Sequence, residues 1–141
     1  MPKNDYKEGM LLNEETNQNN ISGKQSESVT FYRVPKVLFA KGKFQPLSSE
    51  AKVLYSIFLD RMALSLKNDW VDGQGRAYII FTLEEIMQMI HCANQKATRL
   101  MKQLEKAGLI EQTQYARGCP KRIYVKDCLS LYHSNALPKH S

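Results

Sequence analysis

The sequence predicts an α+β fold, a winged helix-turn-helix with a β-hairpin wing, on three observations. Residues 92–107 place Ala93, Ala97, Leu100, Met101, Leu104 and Ala107 on one helical face and Gln95, Lys96, Thr98, Arg99, Lys102 and Lys106 on the other. A shorter apolar-faced segment, "TLEEIMQMI", precedes it across the break "HCAN". Two strand-like runs, "LIEQTQY" and "KRIYVK", follow at once, joined by "ARGCP", where Gly118 and Pro120 favour a turn. Two helices across a tight break, the second one basic, and then a basic hairpin form an arrangement suited to duplex DNA. Its second helix enters the major groove and its hairpin lies along neighbouring phosphates or the minor groove.

Taken in order, residues 1–30 are rich in Asn, Gln, Ser and Glu and show no period. They cannot bury enough apolar surface to offset their ordering entropy, which predicts a disordered arm. The folded domain spans 31–127 and opens on "VTFYRVPKVLF", an extended segment in which Pro35 suits an edge strand. A helix runs from about Ser49 to Lys67, capped by Ser48, with Glu50 at its positive end and Ala51, Leu54, Ile57, Phe58 and Met62 as its apolar stripe. Asp72, Gly73 and Gly75 make a turn with Trp70 buried beside it, and Tyr78 to Phe81 make a buried strand. Thr82 and Glu85 fit a capping box for the next helix, Asn94 is a good N-cap for the basic one, and Gly108 ends it. Residues 128–141 read as a tail, or as a linker to a further domain.

Charge is distributed unevenly. The chain of 141 residues carries a formal +6, and residues 91–126 hold that whole surplus, with eight cations against two acids. A clustered surplus of this kind is the footprint of a polyanion site, the bland alternative being a solvated helix face. The start has no apolar core of signal-peptide length, and the longest apolar run, Ala77 to Phe81, is too short to span a membrane. Cys92, Cys119 and Cys128 make no CxxC pair, which points to a reducing cytoplasm.

Within the basic helix, Asn94, Gln95, Lys96, Thr98 and Arg99 occupy the first turns, the part that reaches base edges in such motifs. Arg or Lys can bond guanine O6 and N7, and Gln can pair with adenine N6 and N7. Lys102 lies further along, at phosphate distance. Arg117, Lys121 and Arg122 surround the wing turn, where mutual repulsion argues against a purely stabilising role; Arg122 has Glu111 as an alternative partner across the strands. Lys36, Lys41 and Lys43 form a weaker basic group before the first helix, and Tyr32, Val34 and Val37 are candidates for a dimer contact or for one subunit's core. Asp69 and Asp72 fail a calcium-loop test, since the twelfth position from Asp69 is Ile80 and not Glu. His91, Cys92 and Cys119 do not make a zinc set, and the two cysteines read better as small buried side chains. No nucleotide loop, Ser/His/Asp order or H-E-x-x-H occurs, so neither an enzyme nor a metal or cofactor is expected.

From "FYRVPKVLF" through "LDRMALSLKNDWVDGQGR" to the wing "RGCPKRIYV", about residues 31–127, the chain resembles the amino-terminal domain of the RepA-type replication initiators of Gram-positive plasmids. Cys119 and Lys121 depart from that family's usual wing residues. The resemblance implies a winged-helix dimer that binds repeated double-stranded DNA sites at a plasmid origin, typically inside the initiator gene. It also implies contact with host replication machinery through a carboxy-terminal domain. The same fold serves a transcriptional repressor, in which case a palindrome near a promoter replaces the repeats. It also serves protein interaction, in which case the basic face meets an acidic partner.

Overall fold

The computed structural model describes residues 29–135; the expected arm up to residue 28 and the end of the expected tail, 136–141, lie outside the described residues. Four helices and one hairpin follow a short 3-10 turn: α1 (Ser49–Lys67), α2 (Leu83–Ile90), α3 (Asn94–Lys106), β1 (Ile110–Gln114), β2 (Lys121–Val125) and α4 (Cys128–Asn135). The winged-helix α+β architecture read from the sequence is the one observed.

Local chemistry sets most of the boundaries. The Ser48 hydroxyl accepts from the Ala51 amide at 3.1 Å to start α1. Thr82 and Glu85 exchange both capping-box bonds to start α2. Beyond α3, Gly108 takes the left-handed backbone (φ 80°) that lets the chain turn into β1, a conformation costly for any residue with a Cβ. His91 takes a similar left-handed conformation (φ 61°) at the end of α2 and makes the sharp turn between the two helices.

The core is one cluster. Leu54, Tyr55 and Phe58 of α1 meet Ile86 of α2, Ala97, Leu100 and Leu104 of α3, and Ile123 of β2. Phe58 and Phe81 pack edge to face with ring centroids 5.2 Å apart. β1 and β2 pair antiparallel in the register Ile110↔Val125 to Gln114↔Lys121.

Five expectations about the elements and their ends need correction. Lys36–Phe39 is a 3-10 turn and not an edge strand. Proline's fixed φ and missing N–H suit a helical start, and the Pro35 carbonyl accepts from the Leu38 amide at 3.2 Å while Leu38 is driven into the core. The strand at 78–81 reduces to one bridge, Ile79↔Ile123, because the chain leaves the ladder to bury Phe81 and enter α2. Trp70 is 46% exposed, since polar bonds to Asp72 and not an apolar anchor hold the turn. Ala93, not Asn94, is the N-cap of α3, and no side chain caps that end; the Asn94 Oδ1 accepts instead from the Thr98 hydroxyl at 3.4 Å.

The fifth correction concerns the expected tail, whose first eight residues are helix α4. Asp127 starts it by accepting from the Leu129 amide at 3.0 Å and from the Ser130 hydroxyl at 2.8 Å. Cys128 is buried, and Leu131 and Tyr132 pack on the core. Tyr55, itself fully buried, ties α4 down: its hydroxyl donates to the Lys126 carbonyl and accepts from the Cys128 amide. Burial pushes that phenol's pKa well above its ordinary value, so it stays a donor at any working pH.

Candidate nucleic-acid interface

Helix α3 sorts its polar residues by angle. With Ala97, Leu100, Met101 and Leu104 buried against the core, a helical projection puts Gln95, Arg99, Lys102 and Lys106 directly opposite. All four are exposed and form one ridge at spacings of four, three and four. Three of them are cations, and none of these has an acidic partner among the described residues. Lys106 completes this ridge and is missing from the contacts expected above; its spacing from Lys102 was the signal for it.

The other three candidates of the helix lie on its flanks, the exposed Asn94 beside Thr98, from whose hydroxyl it accepts. Lys96 faces α1, and its Nζ sits 2.6 Å from the Glu50 carboxylate. Thr98 faces the wing across a cleft of about 360 Å³ lined also by Phe81, Ile86, Met101, Gln112 and Lys121. Because no side chain caps the N-terminus of α3, its first backbone N–H groups remain for water or an anion.

In the wing, strand alternation separates two neighbours that the sequence grouped together. Lys121 shares a face with the buried Ile123 and borders the cleft beside α3. Arg122 lies on the opposite face, its guanidinium 4.3 Å from the ring centroids of both Tyr78 and Tyr115. The stack continues through Tyr124, which meets Tyr78 edge to face at 6.1 Å and lies under Arg76 at 4.4 Å. Glu111, the alternative partner for Arg122, pairs with Lys126 at 3.1 Å. At the tip, Arg117 is exposed, Gly118 is left-handed (φ 83°), and the Gln114 side chain braces the turn by donating to the Cys119 carbonyl at 2.9 Å.

The remaining candidates fall as follows. Lys36 and Lys41 are exposed, and Lys43 shares a shallow cleft with Gln103 and Lys106 at the far end of α3. Tyr32 and Val34 are exposed, whereas Val37 packs on the core of its own chain. Cys119 is exposed, contrary to the buried-cysteine expectation, because it sits in the wing turn; Cys92 is half-buried and Cys128 buried. Among the described residues no cluster of three or more His, Cys, Asp or Glu could hold a metal, and no helix is long and apolar enough to cross a membrane.

Asp72 braces the wing from behind. Its carboxylate accepts from the backbone amides of Arg76 and Gln74, from Arg76 Nε at 3.0 Å and from the Tyr124 hydroxyl at 2.9 Å. The Arg76 amide is the largest cause that holds its pKa far below the ordinary carboxylate range. A depressed folded value contributes stability that is present above the unfolded pKa and lost as pH falls through the folded one. Asp72→Asn is therefore expected to lower the denaturant midpoint at pH 7. The gap to the unsubstituted chain should shrink on going below about pH 4. An equal gap at both pH values would deny the carboxylate this role.

Comparison with known proteins agrees with this geometry. The model of the replication initiator protein A (RepA) N-terminus matches residues 30–136. A 41 kDa protein of Lactobacillus helveticus is 29% identical over 110 residues, which are 74% of this chain and 31% of that protein, so the chain spans about a third of the relative's length. A solved N-terminal domain of a DNA binding protein is similar at 27% identity and a TM-score of 0.66, over 85% of this chain and 98% of that one. A solved Rep-DNA complex is similar at 27% identity and a TM-score of 0.65, over 86% and 99%.

Proposed function

Since the chain belongs to the family of replication initiator protein A amino-terminal domains, we propose that it binds double-stranded DNA at repeated sites of a plasmid replication origin and so initiates plasmid replication. The observation that carries this reading is the exposed ridge of α3, three cations without an acidic partner among the described residues and a glutamine, set opposite the core and beside a wing. In the major groove, Gln95 and Arg99 read base edges, with Thr98 and Asn94 at the side nearer the wing. Lys102 and Lys106 neutralise phosphates further along the same strand. Arg117 and Lys121 hold the backbone at the wing. Base contacts supply discrimination, and neutralised phosphates supply most of the affinity together with a steep salt dependence.

Arg122 serves this site indirectly, by keeping the wing stiff within its tyrosine stack. Lys121→Ala is expected to reduce the salt slope of binding by about 0.9, the share of one phosphate. Arg122→Ala is expected to leave that slope in place and to cost about 1 kcal/mol of stability. Equal loss of slope in both variants would put Arg122 on the DNA.

A homodimer through the exposed Tyr32 and Val34 suits repeated sites, and further parts of a longer protein of this kind would engage the host's replication machinery in the cytoplasm. Binding to labelled duplexes tiling the encoding gene and its promoter tests the whole reading. Tight binding to direct repeats is expected. Tight binding to a lone palindrome at the promoter would replace the initiator reading with that of a repressor.

A further inference from the structure

Among the described residues Lys96 is the one cation of α3 held by a carboxylate, and the holder is in a fixed place. Glu50 stands in the first turn of α1, its carboxylate beside the positive end of the helix. Seven residues along the same flank of α3, Gln103 Oε1 accepts from the Ser48 amide at 2.8 Å, so the start of α1 and this flank are fastened at two points. Glu50 thus cannot drift away from Lys96 as a carboxylate on a loop would.

We infer that Glu50 is a specificity-determining residue, which withholds Lys96 from DNA of arbitrary sequence. This rests on the DNA-binding reading above. A phosphate lattice attracts every free lysine whatever the base sequence, and each neutralised phosphate adds about 0.9 to the salt slope. A lysine kept on a carboxylate adds neither affinity nor slope. Discrimination is a difference of two affinities, and weakening the indiscriminate one raises it as surely as strengthening the other. The pair is partly exposed, with side chains 39% and 45% accessible, so its hold corresponds to at most about a fivefold change in an equilibrium.

The test uses the 141-residue chain, a short duplex of random sequence, and anisotropy titrations between about 50 and about 200 mM salt. Glu50→Gln is expected to tighten binding by two- to fivefold and to steepen the salt slope by about 0.9. In a Lys96→Ala background the same substitution is expected to change neither quantity. An unchanged slope in Glu50→Gln overturns the inference. So does a gain that persists without Lys96, because direct repulsion between Glu50 and phosphate would then be the cause. Random-duplex binding by the unsubstituted chain that ignores salt would instead sink the DNA reading itself. Both side chains lie at the surface, and matching melting temperatures establish that each variant is folded.

Discussion

Arg99→Ala is expected to weaken binding to the recognised repeat by roughly 5- to 150-fold, the range of one bidentate arginine–guanine contact, while binding to random duplex should fall by much less. Arg99 is at the centre of the exposed ridge, with Gln95 one turn before it and Lys102 one turn after, and it has no acidic partner among the described residues. Truncation therefore removes no ion pair among the described residues, and the fold should keep its stability. On random DNA only a phosphate contact disappears, seen as a slope shallower by about 0.9. Discrimination between the two DNAs should collapse accordingly. Lys102→Ala, by contrast, should weaken both about equally, because a phosphate contact carries no sequence information. Titrations of both variants against both duplexes check this, and equal losses for Arg99→Ala on the two DNAs would remove it from base readout.

Tyr55→Phe is expected to lower stability by about 2 kcal/mol and the melting temperature by about 10 °C. The ring still fills its place in the core, so no cavity opens and the loss comes from hydrogen bonding alone. The Lys126 carbonyl and the Cys128 amide both rely on the Tyr55 hydroxyl, and leaving buried partners unsatisfied costs more than the bond itself is worth. Amide exchange locates the effect: protection should fall first across α4, whose entry from β2 this hydroxyl pins. A melting temperature within a degree or two of the unsubstituted chain would show that water replaces the hydroxyl at this joint.

Periodicity and capping chemistry carried the fold a long way. α1 was legible to the residue because Ser48, Glu50 and a five-member apolar stripe all agree. The capping box of Thr82 and Glu85, the glycine after α3 and the two hairpin strands were legible for the same reason. Part of what escaped was decided by contacts distant in sequence, and part by local polar bonds. Nothing in "CLSLYHSN" alone announces α4, which holds because Tyr55, 73 residues earlier, receives its first amide. Trp70 was expected inside by its type, yet the carboxylate of Asp72 organises that turn.

The candidate site divides in the same way. A basic face was legible, but its partition into a ridge, an α1 flank and a wing flank needs the core to fix the rotation of α3. Lys121 and Arg122 are adjacent in sequence, and only the strand register sends one towards α3 and the other into the tyrosine stack. Tyr78 and Arg76 belong to a turn that precedes the hairpin by more than thirty residues, so their stacking with Arg122 and Tyr124 had no local signal.

Amide chemical-shift mapping of the isotope-labelled chain with its tightest-binding tiled duplex tests the central claim most directly. Shifts are expected along residues 94–106 and at the wing turn 116–121, with α4 and the outer tyrosine stack little changed. Shifts concentrated on the far side of α1 or on α4, with the α3 ridge silent, would contradict the account.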